Sequence, residues 1–374
     1  MNSISPSLSP VALDTLSTPF LHIDGAIVRK NLEKLAVYAG AHDLAWRPHT
    51  KTHKSIRLAQ LQVAYGACGL TAAKVGEAEC MAPLSPSTLI AYPLLDAPRC
   101  RRGAELARDY SILVAVDSAL AAERLNAAAE AAGSTIRLLV DLDVGFHRTG
   151  LQSPQDALRL ASFIDGLPAV VLAGLFVYPG QINCPPAEQG PLLKAAGDLI
   201  QETLALWEAQ GLAAPIVSGG STPTCFQSHL VPGLTEIRPG TNIFNDMNTV
   251  HGGYCCLEDC AARIVATVVS DAVPGQIVLD AGSKTLTSDP CGPAPASGFG
   301  FLPGYPNARI AKLSEEHGQV DVRACPRVPS LGERVAVIPN HICPCVNLQD
   351  RFWWTENPES PPELVPVDAR GALS

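Results

Sequence analysis

At 374 residues, with 47% apolar and 17% charged side chains, the chain is long enough for two domains or one large barrel with an appendage, and too apolar to be disordered. A formal charge of −9 with no basic tract excludes a nucleic-acid partner. No apolar run can span a bilayer, and the N-terminal MNSISPSLSPVALDTL lacks a basic start followed by an apolar core, so a cytoplasmic, non-membrane protein with a loose polar leader is expected.

The twelve cysteines are too dilute for a disulfide framework and read as cytosolic thiols. The first β-rich run, 20–24, precedes the first helix and stands outside the pattern that follows. From about residue 25 to 245, strand candidates at 44–49, 68–72, 88–93, 111–116, 136–142, 171–178, 215–218 and 236–242 alternate with helical stretches such as 55–65, 74–81, 118–132, 153–164 and 190–209. Strand–helix repetition of this length implies a parallel sheet, and eight units imply a closed (β/α)8 TIM barrel.

The first barrel strand leads into RPHTKTHK (47–54), centred on Lys51. A lysine at a strand exit, crowded by His49, His53 and another cation, is a candidate Schiff-base former; the same octapeptide also reads as a solvated basic turn. The seventh strand runs into SGGSTP (218–223), where Gly219 and Gly220 let backbone amides approach an anion and Ser221 and Thr222 add hydroxyl donors. RPGTN (238–242) follows the eighth strand, and the loops after strands seven and eight are the usual phosphate cradle of such barrels. An ordinary tight turn is the alternative. The chain has no P-loop, and Gly298 and Gly300 do not extend to a GxGxxG, so a nucleoside triphosphate or dinucleotide is not expected. A Schiff-base lysine and a phosphate cradle at one barrel mouth are what pyridoxal phosphate requires.

After residue 255 the texture changes to β-branched runs at 262–270, 276–279, 319–322 and 334–338, a mainly antiparallel β domain. The stray run 20–24 is expected to pair with it, giving domains of 25–250 and of 251–374 with 15–24; the stretch from Asn357 reads as irregular. His341 and Cys343 are two apart, which on a strand would put imidazole and thiolate on one face as zinc donors, or be coincidence.

RPHTKTHK, GACGLTAAKVGEAE (66–79), DLDVGFHRTG (141–150), GLFVYPGQ (174–181), SGGSTPT (218–224), EIRPGTNIF (236–244), DAGSKTLTSD (280–289), SEEHG (314–318) and PNHICPCVNLQD (339–350) stand in that order. Together they resemble the fold-type III pyridoxal-phosphate enzymes of the D-threonine aldolase and eukaryotic-type D-serine dehydratase family, over residues 15–355. The resemblance implies an alanine-racemase-type barrel plus C-terminal β domain, working as a homodimer. It implies that Lys51 carries the cofactor, that Tyr178 lies beside the pyridine ring, and that Gly219, Gly220, Ser221, Thr222, Gly240 and Thr241 hold the phosphate. Arg148 would lie near the cofactor's phenolic oxygen or the substrate carboxylate. Asn242 departs from relatives, which often carry an aromatic near that point. His341 and Cys343 become ligands of Zn2+ or another divalent metal, with Cys345 as packing, His317 as a lesser candidate, and His49 and His53 as supporting groups around Lys51.

Two reactions fit such a site, both on a D-β-hydroxy amino acid. In a dehydratase Lys51 takes the Cα proton and the metal withdraws hydroxide, giving a 2-oxo acid and ammonia; in an aldolase the Cα–Cβ bond breaks, giving glycine and an aldehyde. In this family aldolases tend to pair the histidine with aspartate and dehydratases with cysteine, so Cys343 favours the dehydratase, acting on D-serine, D-threonine or D-threo-3-hydroxyaspartate. A pyridoxal-phosphate carrier without turnover is the third option, and the β domain with its HxC argues against it.

Overall fold

The computed structural model describes residues 13–357 and 359–374; the leader's residues 1–12 lie outside the described residues. Two compact units emerge, one of residues 32–242, 252–254 and 368–374, the other of residues up to 31, 243–251 and 255–367. The strands in chain order are β1 (Phe20–Asp24), β2 (Ala45–Trp46), β3 (Leu70–Ala72), β4 (Thr88–Ile90), β5 (Ile112–Val116), β6 (Ile136–Leu142), β7 (Val170–Val177), β8 (Ile216–Gly219) and β9 (Glu236–Ile237). They continue with β10 (Ala262–Ser270), β11 (Gln276–Leu279), β12 (Arg309–Leu313), β13 (Gly318–Asp321), β14 (Arg334–Val337), β15 (Arg351–Thr355) and β16 (Glu363–Pro366).

In the first unit β2 to β9 form one parallel sheet in the order β2-β9-β8-β7-β6-β5-β4-β3. Its two ends meet: His49 bridges Thr71, and the amides of Cys68 and Thr71 donate to the carbonyls of Trp46 and Pro48 at 2.9 Å each. The sheet is therefore a closed barrel. Period-two alternation sorts its side chains. Ile112, Val114, Val116, Leu138 and Val140 join Ala122, Leu125, Leu160 and Ile164 of the surrounding helices, whereas Leu89, Leu113, Ala115, Leu139, Ala173 and Phe176 form a separate inner cluster. Helix starts are fixed by side-chain caps, with Asp96, Ser118 and Ser153 accepting from the amides of Arg99, Ala121 and Asp156. Sequence periodicity anticipated the barrel strands to within a few residues. The eighth is shorter than expected, because Pro239 has no amide to donate and the chain leaves the sheet after Ile237.

In the second unit the sheet order is β12-β13-β11-β10-β1-β15-β16, with β14 also on β10. The early strand β1 pairs antiparallel with β10, Phe20 opposite Val265 and Ile23 opposite Ala262, as its isolated position suggested. All pairings are antiparallel except that of β1 with β15. One expectation is corrected. The stretch after Asn357 is not wholly irregular, because β16 pairs with β15 and buries Val365 opposite Phe352.

Among the described residues no helix is long and apolar enough to cross a membrane.

Candidate active site

All eight barrel strands run the same way, so the residues beyond their C-terminal ends gather at one mouth. There a cavity of about 400 Å³ is lined by His49 and Lys51 after β2, Ala73 and Lys74 after β3, and Tyr92 after β4. Arg148 and Thr149 after β6, Tyr178 after β7, Gly220 to Pro223 after β8, and Arg238, Gly240 and Thr241 after β9 complete the wall.

Lys51 sits in the single 3-10 turn Thr50–Thr52, capped by His49, whose Nδ1 accepts the Lys51 amide at 3.3 Å. The turn is held from below: Thr50 Oγ1 donates to the Thr71 carbonyl (3.0 Å) and to Glu77 Oε1 (2.6 Å). Burial, with the positive charges of Lys51 and Arg238, keeps the His49 pKa well below the usual imidazole range, so a neutral ring faces the lysine. His53 does not line the cavity. Its Nδ1 accepts the Ser55 amide at 3.0 Å and its Nε2 meets Gln62 Oε1 at 3.1 Å, so it supports the helix Ile56–Ala64 rather than surrounding Lys51.

The two glycine-rich turns are joined by Thr222, whose Oγ1 accepts the amides of Gly240 (3.3 Å) and Thr241 (3.1 Å). Gly220 has φ +74°, which favours glycine, and a Cβ on Gly240 would lie 3.0 Å from both Cβ and O of His49. These turns thus bring backbone close to the cavity on the same wall as Lys51, and they fit a phosphate beside an amine. Gly219 differs from its neighbours: it ends β8, does not line the cavity, and packs where a Cβ would strike Leu234 and Val177.

Tyr178 and Arg148 meet directly. The Arg148 guanidinium lies 4.6 Å from the Tyr178 ring centroid and 5.2 Å from that of Phe146. Their loop is organised by Asp143, which accepts the amides of Gly145, Phe146 and His147 at 2.9–3.1 Å and the side chains of His147 and Gln152. Although burial opposes ionisation there, those donors bring the Asp143 pKa down to about 2. Asp141 is the opposite case: burial raises it to about 6, against the hydroxyl of Thr149 at 2.8 Å. Asn242 is buried in the turn Thr241–Ile243.

Arg238 is a site residue that motif reading passed over. Its Nη1 donates to Ser218 Oγ (2.6 Å), its Nη2 to the Val177 carbonyl (2.7 Å), and its guanidinium stacks 3.9 Å from the Phe176 centroid. Burial lowers its pKa to about 10, so it stays a cation. Ser218 Oγ in turn donates to Glu236 (2.5 Å), which Arg47 grips with two bonds of 2.8 and 2.9 Å. Burial resists ionisation of Glu236, but Arg47 holds its pKa below the usual value. The signal was available: Glu236 and Arg238 stand two apart at a strand end, hence on one inward face.

In the β unit, His341 and Cys343 do not lie on a strand. His341 caps the short helix Ile342–Asn347 and Cys343 is in its first turn, where Pro344 is tolerated because that turn needs few amide donors. The turn still brings the pair together. Burial would lower the His341 pKa, but its hydrogen bonds with Cys343 and Asp289 and the charges of Cys343 and Asp246 raise it to about 9. His341 Nδ1 pairs with Asp289 Oδ2 at 2.8 Å, which leaves Nε2 for a metal. Asp246 Oδ2 accepts the Ile342 amide at 3.0 Å and fixes the turn. Cys345 is packing, as expected: its Sγ donates to the Thr285 carbonyl at 3.0 Å, and burial pushes its pKa up to about 12. His317 lies in the exposed turn between β12 and β13. Among the described residues no three His, Cys, Asp or Glu side chains are grouped to hold a metal. The donors on offer are one nitrogen and one sulfur, a set that fits zinc with positions left open.

Comparison with known proteins agrees with this layout. Residues 23–247 match the family "Alanine racemase, N-terminal domain", and residues 261–355 the "Putative serine dehydratase domain". The chain is 31% identical to a D-threonine aldolase of an Arthrobacter species, covering 90% of this chain and 89% of that one. It is 30% identical to a D-threo-3-hydroxyaspartate dehydratase of Delftia sp. (strain HT23), covering 88% and 91%; a cysteine-to-alanine mutant of an enzyme of that name has been solved in a metal-free form. The crystal structure of D-threonine aldolase from Filomicrobium marinum superposes with a TM-score of 0.90 at 29% identity, covering 98% of this chain and 100% of that one.

Proposed function

The chain belongs to the alanine-racemase-fold lyase family that contains D-threonine aldolase and D-serine dehydratase, and from that membership we propose that it is a pyridoxal-phosphate- and zinc-dependent dehydratase. Its substrate is a D-β-hydroxy amino acid, namely D-serine, D-threonine or D-threo-3-hydroxyaspartate, and its products are a 2-oxo acid and ammonia.

When bound, pyridoxal phosphate supplies an electron sink at the substrate's Cα and zinc a Lewis acid for the departing β-oxygen. Lys51 Nζ would hold the cofactor covalently, and its free amine would be the base for the Cα proton. Gly220, Ser221, Thr222, Gly240 and Thr241 hold the phosphate, with Gly219 shaping the strand end behind them. Tyr178 would border the pyridine ring, and Arg238, fixed by Ser218 and the Val177 carbonyl, offers a cation in the cavity wall. Arg148, stacked on Tyr178, presents a planar fork suited to the α-carboxylate. The neutral His49 packs near Lys51 without adding charge. His341 Nε2 and Cys343 Sγ would donate to zinc, and Asp289 orients the imidazole. The family's habit of working as a homodimer is part of the proposal.

One observation carries this reading: Lys51 and the Thr222-linked pair of turns line a single cavity at the barrel mouth. Cys343 rather than aspartate supports C–O over C–C cleavage. Incubation with D-serine and D-threonine, followed by assay of pyruvate and 2-oxobutyrate against glycine and acetaldehyde, tests it. Glycine as the main product would make the enzyme an aldolase.

A further inference from the structure

We propose that Lys74 makes this cavity selective for D-3-hydroxy amino acids bearing a second carboxylate, on the β-carbon; the inference rests on the lyase reading above. Four cationic side chains line the cavity, Lys51, Lys74, Arg148 and Arg238, and among the described residues no aspartate or glutamate lines it. Two of the four have other work. Lys51 is the covalent anchor, and Arg238 is engaged by Ser218 and the Val177 carbonyl and lies one hydroxyl from Glu236.

Lys74 and Arg148 are different. Neither makes a salt bridge among the described residues, and each is parked on an aromatic face. Lys74 Nζ lies 3.2 Å from the centroid of Tyr92, while Arg148 stacks on Tyr178 and Phe146. A partly exposed cation over a ring is held weakly enough to be recaptured by a carboxylate.

Topology separates Lys74 from the phosphate. Around the closed sheet β3, which leads to Lys74, is three strands from β8 by the shorter way, and β4, which leads to Tyr92, is four strands from it in either direction, so the Lys74–Tyr92 pair is on the far side of the mouth from the Gly220–Thr222 turn. An ordinary D-β-hydroxy amino acid brings one carboxylate for these two cations. The planar fork of Arg148 suits the α-carboxylate, and the compact ammonium of Lys74 on its flexible stem suits the second. A substrate with two carboxylates pairs both; D-serine or D-threonine leaves Lys74 on its ring.

The test uses the holoenzyme and its Lys74→Met and Lys74→Arg variants. Wild-type kcat/KM should favour D-threo-3-hydroxyaspartate over D-serine and D-threonine. Lys74→Met should lower kcat/KM for the dicarboxylate about 10- to 100-fold, mainly through KM, and leave D-serine within about twofold, while Lys74→Arg retains most of the preference. Independently of turnover, the visible spectrum is titrated with D-aspartate and D-alanine, which lack the β-hydroxyl; only the D-aspartate affinity should fall in Lys74→Met. Equal losses for D-aspartate and D-alanine would put Lys74 at the α-carboxylate and overturn the inference. Loss of cofactor from Lys74→Met, or an unchanged preference, overturns it as well. Absence of lyase activity on all three substrates in the wild type is the distinct result that removes the lyase reading itself.

Discussion

The hydroxyl of Thr50 donates a 2.6 Å hydrogen bond to the fully buried carboxylate of Glu77, and through it the turn bearing Lys51 is tied to the turn bearing Lys74. The other Glu77 oxygen accepts the Ala73 amide at 3.1 Å and lies 3.6 Å from the buried Lys54 ammonium. One carboxylate thus sets the height of two strand exits around the cavity.

Glu77→Gln should break this tie. The amide leaves the Lys54 cation buried without its counter-charge, at a loss of about 3 kcal/mol, the order found for breaking a buried pair. Urea unfolding of the cofactor-free protein measures it, and a parallel fall in cofactor affinity is expected because the turn bearing Lys51 loses its support. An unchanged unfolding midpoint would mean that Glu77 is dispensable.

Thr222→Ala removes the acceptor for the Gly240 and Thr241 amides. With the two turns no longer joined, the pyridoxal-phosphate dissociation constant should rise about tenfold, the order expected for a lost hydrogen bond and a loosened site. Fluorescence titration of the cofactor-free protein reads this directly, and thermal unfolding without cofactor should move far less.

The buried His53 predicts acid sensitivity. Its pKa is pushed from 6.5 to about 4 by burial, and its Nδ1 must stay unprotonated to accept the Ser55 amide. A folded-state pKa below the unfolded value means that the unfolded chain binds the proton more tightly. Stability is therefore complete above the unfolded pKa and is lost as pH falls towards the folded one, by about 2 kcal/mol between pH 7 and pH 5. His53→Gln should flatten that part of the stability–pH curve, and an unaltered slope would count against the assignment.

At the metal pair, Asp289→Asn should weaken zinc binding about 10- to 100-fold by removing the carboxylate that orients His341, and Cys343→Ala should abolish stoichiometric binding. Competition with a chromophoric chelator measures both. Dialysis against chelator should stop lyase activity in the wild type, and zinc should restore it. Full activity after chelation would exclude the metal from the reaction.

Much of this architecture was legible in the sequence because it rests on local rules. Strand–helix repetition marked the barrel, and Lys51, Gly220 and Thr222 are marked by short patterns at strand ends, whereas β5, apolar throughout, gave no sign of which side chains face the barrel interior. The partner of β1 followed from elimination, since residues 20–24 had no place in the barrel count. Other features depend on contacts distant in sequence. No pattern joins Glu77 to Thr50 or Asp289 to His341, which are 27 and 52 residues apart. His341 and Cys343 were placed on a strand because the β-rich texture before them was extended past Pro339, where the chain actually turns into a helix. Arg238 was hidden for a different reason: a charged residue two places from a glutamate looks like a solvated face until the strand is known to close a barrel.

Borohydride reduction of the purified holoenzyme followed by peptide mass spectrometry decides whether Lys51 is the covalent anchor of pyridoxal phosphate. A phosphopyridoxyl group is expected on Lys51, with loss of the visible absorption band on reduction and no such adduct in Lys51→Ala. An adduct on Lys54 or Lys74, or a reducible band that persists in Lys51→Ala, would contradict it.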